Sequence, residues 1–191
     1  MSPWFGKKKT PDGTTIIRHD EVKRQIGFTD KTTAGFPQPR EAAYERLFGK
    51  ALSVSHELLP LVPHIDVYIF QRSHGGQVVY ALVTGGMSDL EMTLPRRAGE
   101  VPRRVELIFY CAEPREEYIA TLRWVAHFPH DSKSWLGHGH TMPNGNPPAP
   151  FWEALSWTRS CLCRRLSRKT RPCRKTCDWV ETLSTFSGLS R

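Results

Sequence analysis

The chain has 191 residues, 39% apolar and 24% charged, with a formal net charge of +8. That length suits one domain with a sizeable core. No apolar run approaches the roughly 20 residues of a membrane helix, and the opening Met1-Ser-Pro-Trp-Phe-Gly-Lys-Lys-Lys9 lacks the apolar centre of a secretory signal, so a cytoplasmic protein without a membrane partner is expected.

The charge has a location. From Thr158 to Arg191 nine basic residues face two acidic ones, which is +7 of the total, and four of the five cysteines (Cys161, Cys163, Cys173, Cys177) lie there too. The body before it is nearly neutral, so a broad nucleic-acid footprint is absent from the body and would have to reside in this tail.

In chain order, residues 1–18 are polar and contain Lys7, Lys8 and Lys9 together, reading as a flexible N-terminus. Asp20 to Ile26 has Val22 and Ile26 at helical spacing. Thr29 to Pro39 is a loop. Arg40 to Phe48 reads as a helix ended by Gly49, with Tyr44, Leu47 and Phe48 as its apolar stripe. Periodicity does not decide between helix and extended chain for Ala51 to Leu61.

Ile65, Val67 and Ile69 alternate with Asp66, Tyr68 and Phe70, the pattern of a strand with one strongly apolar face. A turn over Gln71–Gln77 leads to a second strand, Val78–Thr84, completing a hairpin. That strand runs into Gly85 and Gly86, which admit backbone angles closed to other residues, and then Met87, Ser88 and Asp89, whose polar groups suit a tight turn. After a charged loop, Val105, Leu107 and Phe109 alternate with Glu106, Ile108 and Tyr110 as a third strand. Pro114 opens a helix with Glu116 and Glu117 at its positive end. Tyr118, Ile119, Leu122, Val125 and Ala126 form its apolar stripe, and Pro129 stops it. Ser132 to Pro150 reads as turns. Helices, hairpin, strand and helix in this order give an α+β domain with a mixed or antiparallel sheet and helices packed mainly on one side.

No complete catalytic constellation is present. Ser88 and Asp89 lack a nucleophile elbow, His56-Glu57 and His64 with Asp66 are the available acid–base pairs, and no P-loop or dinucleotide fingerprint occurs. His127, His130, His138 and His140 form the best metal candidate, yet their spacing matches no complete ligand set. No catalytic residue, metal or cofactor is therefore assigned. A metal-dependent hydrolase built on those four histidines is the alternative reading, and nucleic-acid binding through the basic tail is another.

Three blocks, Ser55 to Phe70, Tyr80 to Leu90 and Arg104 to Phe109, resemble the Suppressor of fused domain family in their order and separation. Tyr44-Glu-Arg-Leu-Phe-Gly49 is similar to that family's first helix, His64-Ile-Asp-Val67 to its opening strand, Leu122-Arg-Trp-Val-Ala126 to its long helix and Gly137–Gly145 to the following turn. The likeness spans roughly His19 to Phe151 and stops after about Trp157. It divides the chain into residues 1–18, a Suppressor of fused-like domain over 19–157, C-terminally incomplete, and a tail over 158–191. The tail is read as disordered or frameshifted. Permitted codons for Thr158–Phe186, read in a shifted frame, yield Thr-Phe-Leu-Phe-Met-Pro-Pro-Ile-Val followed by an acidic stretch, similar to the family's C-terminal strand.

The resemblance implies a non-enzymatic domain that binds a protein partner. The animal members inhibit transcription factors, and bacterial single-domain members look like immunity proteins that block a cognate toxin. On that basis Tyr80, Thr84, Gly86, Met87, Ser88 and Asp89 are the expected partner-binding residues.

Overall fold

The structure is a computed structural model that describes residues 6–11, 13, 15–18, 37–74, 76–96, 101–137, 140–143, 159–163 and 180–183. Its centre is a strongly apolar hairpin. Strand β4 (Asp66–His74) pairs antiparallel with β5 (Gln77–Gly85) along their whole length, from Asp66 opposite Gly85 to His74 opposite Gln77. The strands extend further than the sequence suggests, because residues 71–74 and 77 continue the ladder.

To name the remaining elements, β1 is Gly6–Lys9, β2 Thr15–Arg18, α1 Pro37–Phe48, β3 Ser53–Ser55, β6 Glu106–Cys111, α2 Glu116–Asp131, β7 Thr141–Pro143, β8 Arg159–Cys163 and β9 Val180–Leu183. Strands β1 and β2 form a hairpin of their own, within the stretch expected to be flexible. The others make one sheet in the order β3-β4-β5-β6-β9-β8-β7. It is antiparallel except for the parallel pair β8–β9. The segment read as disordered or frameshifted thus supplies two short strands to the described structure. Asp20–Ile26, His138 and most of the tail lie outside the described residues.

The fold is α+β, but its helices do not share a side. In a strand successive side chains point to opposite faces. Ile65, Val67 and Ile69 join Leu82, Leu107 and Phe109 on one face, where the Ile119, Leu122, Val125 and Ala126 stripe of α2 packs. Tyr68 and Phe70 join Ala81, Val83 and Ile108 on the other, where Tyr44 of α1 packs. The expectation of helices mainly on one side is corrected by these aromatic residues. They occupy the alternate positions of β4, and the apolar face they make is covered by α1.

Helix α2 also differs at its end. Pro129 sits within the helix rather than stopping it, and the chain continues helically to Asp131. The carbonyls of the last turn are then satisfied from outside the helix, Ser132 N–H donating to Phe128 O and Ser134 N–H to Pro129 O.

Candidate functional site

The Gly85–Asp89 turn is the structural focus of the domain, and it is buried. Gly86 has φ +124°, and a Cβ there would lie 1.9 Å from the His64 carbonyl oxygen, so only glycine fits. A single 3-10 turn over Met87–Asp89 follows. It aims the Gly86 and Ser88 amides at one carboxylate oxygen, Glu106 Oε1, each at 3.0 Å. The Ser88 hydroxyl donates to the same oxygen at 2.6 Å, and Thr84 Oγ1 donates to Oε2 at 2.7 Å.

Glu106 stands at the start of β6 and is 2% exposed. An isolated carboxylate is costly in such a place. Four donors and a cation offset that cost, because Arg40 of α1 reaches in to ion-pair Asp89 at 2.5 Å and to approach Glu106 at 3.8 Å. Burial pushes the Glu106 carboxyl above its usual range, only partly opposed by Arg40 and the hydroxyl donors. Asp89 is raised for the same reason, with Arg40 opposing. Burial alone would lower Arg40, but Glu106 and Asp89 outweigh it and hold the guanidinium proton more tightly than usual.

Three further groups tie the turn down. Tyr44 O–H donates to Thr84 O at 2.5 Å. Arg104 donates to the carbonyls of Ser88 and Asp89 at 2.8 and 2.7 Å. His130 of α2 donates to Met87 O at 3.1 Å. Burial drives the His130 pKa down to about 4, so the ring is neutral at neutral pH. The turn is thereby fastened to both helices and to β6.

Of the six residues expected to meet a partner, Thr84, Gly86, Met87, Ser88 and Asp89 are buried, and Tyr80 is half-buried against the α2-side core. The structure brings the five together inside the domain. Thr84, Ser88 and Asp89 hold the turn through their side chains, Gly86 through its amide, and Met87 packs in the core. Of the residues that hold this arrangement, Tyr44 reads from sequence as part of an apolar stripe and His130 as a metal candidate, while Arg40, Arg104 and Glu106 carry no site assignment there. Glu106 in particular shares the alternate face of the third strand with Ile108 and Tyr110, and the alternation alone does not say whether that face is covered. The only sequence signal was a carboxylate immediately before the apolar Leu107–Phe109.

A second polar cluster latches the segment before β4. Glu57 accepts from His127 Nε2 at 2.8 Å and from the Ile65 amide at 3.0 Å. Burial would raise its pKa, but His127, the Ile65 amide and Arg123 together outweigh burial and lower it. Arg123 of α2 donates to Ile65 O and Ser55 O at 3.0 and 2.9 Å. Asp66 accepts from the Glu57 amide and His56 Nδ1, each at 3.0 Å, and lies 3.2 Å from His64 Nε2.

Among the described residues, His127, His130 and His140 of the metal alternative are not gathered into a ligand set. His127 is engaged by Glu57, His130 by Met87 O, and the His140 ring packs on Trp135. His138 lies outside the described residues, among which no group of three or more metal-ligating side chains is gathered.

The family model described as Suppressor of fused protein (SUFU) matches residues 62–168, more than half the chain. The chain belongs to the Suppressor of fused family. The match takes in the hairpin, the Gly85–Asp89 turn, Glu106 and α2. It starts later than the His19 of the sequence reading and runs past Trp157 to Arg168. No curated protein and no solved structure matches the chain. The family is one of non-enzymatic regulatory, protein-interaction domains. No helix among the described residues is long and apolar enough to cross a membrane.

Proposed function

We propose that this chain acts by binding another protein in the cytoplasm and, more narrowly, that it is an immunity-like inhibitor of a cognate toxin. The observation that carries this reading is its membership of the Suppressor of fused family over residues 62–168. The geometry supports it by offering a rigid frame, since a surface that blocks a partner gains affinity when its backbone is ordered before contact. In this reading the buried turn residues Thr84, Gly86, Met87, Ser88 and Asp89 set that frame, and Tyr80 with neighbouring exposed residues makes the contact.

The experiment is co-expression with a toxin encoded beside its gene. Restored growth and a complex that survives size-exclusion chromatography are expected. Unchanged killing with no complex overturns the immunity reading.

We also propose that Thr158–Arg191 is the product of a shifted reading frame. The support is the concentration of arginine and cysteine there and the family-like sequence in the alternative frame. Sequencing the gene decides it: an intact frame with no family-like alternative beyond codon 157 overturns the idea.

A further inference from the structure

The sheet ends at β3, and β3 is only three residues long. Its pairing covers Val67 to Ile69 of β4 and stops at Ser53 opposite Ile69. The next residue, Leu52, still donates its amide to Ile69 O at 2.8 Å, and there the chain leaves the sheet. Strand β4 continues for five more residues. Phe70–His74 has β5 on one side and, among the described residues, no strand on the other.

Backbone groups in a strand point alternately to its two edges. Ile69 faces β3, so Gln71 and Ser73 present their N–H and C=O groups to the same, open side. Beside them the departing chain leaves a groove of about 500 Å³, lined by Lys50, Leu52, Gln71, Arg72, Ser73 and Val78 among others. Leu52 and Val78 are 59% and 50% exposed beside this edge. Among the described residues, the groove's charged lining consists of two cations, Lys50 and Arg72, and no carboxylate. Arg72 is held in place, donating to Leu47 O at 2.6 Å with its guanidinium carbon 5.7 Å from the centre of the Phe48 ring.

An open edge is a template for another strand. Two occupants compete, a second copy of this chain and a segment of another protein, and charge decides between them. Antiparallel self-pairing of Phe70–His74 sets Arg72 of one copy directly against Arg72 of the other, and like charges facing across a ladder are destabilising. A strand carrying carboxylates reverses the sign of that interaction. We propose that the outer edge of β4 takes up an extended, acidic and aliphatic segment of a partner protein as an added strand, with carboxylates meeting Lys50 and Arg72 and aliphatic side chains covering Leu52 and Val78. This rests on the protein-binding reading above and names the chemistry of the partner.

The test uses the full chain and a fluorescein-labelled eight-residue peptide of alternating valine and glutamate, with its valine–lysine counterpart. Fluorescence anisotropy is expected to show saturable binding of the acidic peptide, at least tenfold weaker binding of the basic one, and a reversed preference in the Lys50→Glu/Arg72→Glu variant. Independently of any variant, hydrogen exchange at the Gln71 and Ser73 amides is expected to slow at least tenfold at saturation. Equal binding of both peptides, or unchanged exchange at those two amides, overturns the proposal. So does slowing that follows protein concentration without peptide, which makes the occupant a second copy. If a toxin captured as described above still binds the double variant at wild-type affinity, the edge is not its site while the protein-binding reading stands.

Discussion

Glu106 Oε1 accepts both the backbone amide and the hydroxyl of Ser88, eighteen residues earlier in the chain, at 3.0 and 2.6 Å. One fully buried carboxylate oxygen therefore organises the turn between two neighbouring strands. A side chain on β6 does the work that backbone pairing does elsewhere in the sheet. The outcome is a turn whose shape depends on a charge the fold must keep satisfied.

Gly86 and Gly49 separate steric from conformational need. Both have positive φ, +124° and +82°, but a Cβ on Gly49 meets nothing within 4 Å, whereas one on Gly86 strikes the His64 carbonyl. Gly49→Ala is expected to cost about 1 kcal/mol, the left-handed penalty alone. Gly86→Ala is expected to cost well over 3 kcal/mol, a large share of a typical domain's stability. Urea denaturation of the two variants measures the difference.

The Arg40–Asp89 pair tests how the buried charges divide the stability between them. Removing one partner strands the other without compensation, so Arg40→Met and Asp89→Leu are each expected to cost about 3–5 kcal/mol. The double variant is expected to lose at least ~1 kcal/mol less than the sum, because the two penalties are shared. Strict additivity in a denaturation cycle contradicts this account. Glu106 approaches Arg40 at 3.8 Å, so Arg40→Met is expected to be the more damaging single change.

His130 gives the domain an acid-sensitive limb. Its pKa is lowered to about 4 from an ordinary 6.5, mainly by burial, so the fold favours the neutral ring. The corresponding stability is fully present above pH 6.5 and is lost as pH falls toward 4. Glu57 acts in the same direction at lower pH, since its lowered pKa adds stability that disappears as its carboxylate is protonated. Glu106 and Asp89 have raised values and the opposite sign: their contribution is present in acid and is lost as pH rises. Comparing His130→Gln with wild type isolates the contribution of this ring. Between pH 7 and 4.5 the wild type is expected to lose on the order of 2 kcal/mol more than the variant. Parallel pH profiles for the two proteins would refute it.

A chain whose frame is restored beyond codon 157 tests the proposal about Thr158–Arg191. Missing or altered strands leave sheet edge and apolar surface open to association. The restored chain is expected to give a larger soluble fraction and a higher melting temperature, and equality in both contradicts the frameshift.

The sequence by itself determined the hairpin, the third strand, the core-facing stripe of α2 and the family, because each is a local pattern: Ile65, Val67 and Ile69 at period two, Ile119, Leu122 and Val125 at helical spacing, Gly85 and Gly86 at a strand's end. Only the tertiary structure decided that Glu106 is interior, that Arg40 of α1 neutralises Asp89 forty-nine residues away, and that α1 and α2 lie on opposite faces. Periodicity assigns a residue to a side of its strand or helix. Whether that side is covered, and by which charges, depends on chain segments far away, so the burial that turns Glu106 from a surface carboxylate into the centre of the turn has no local signature.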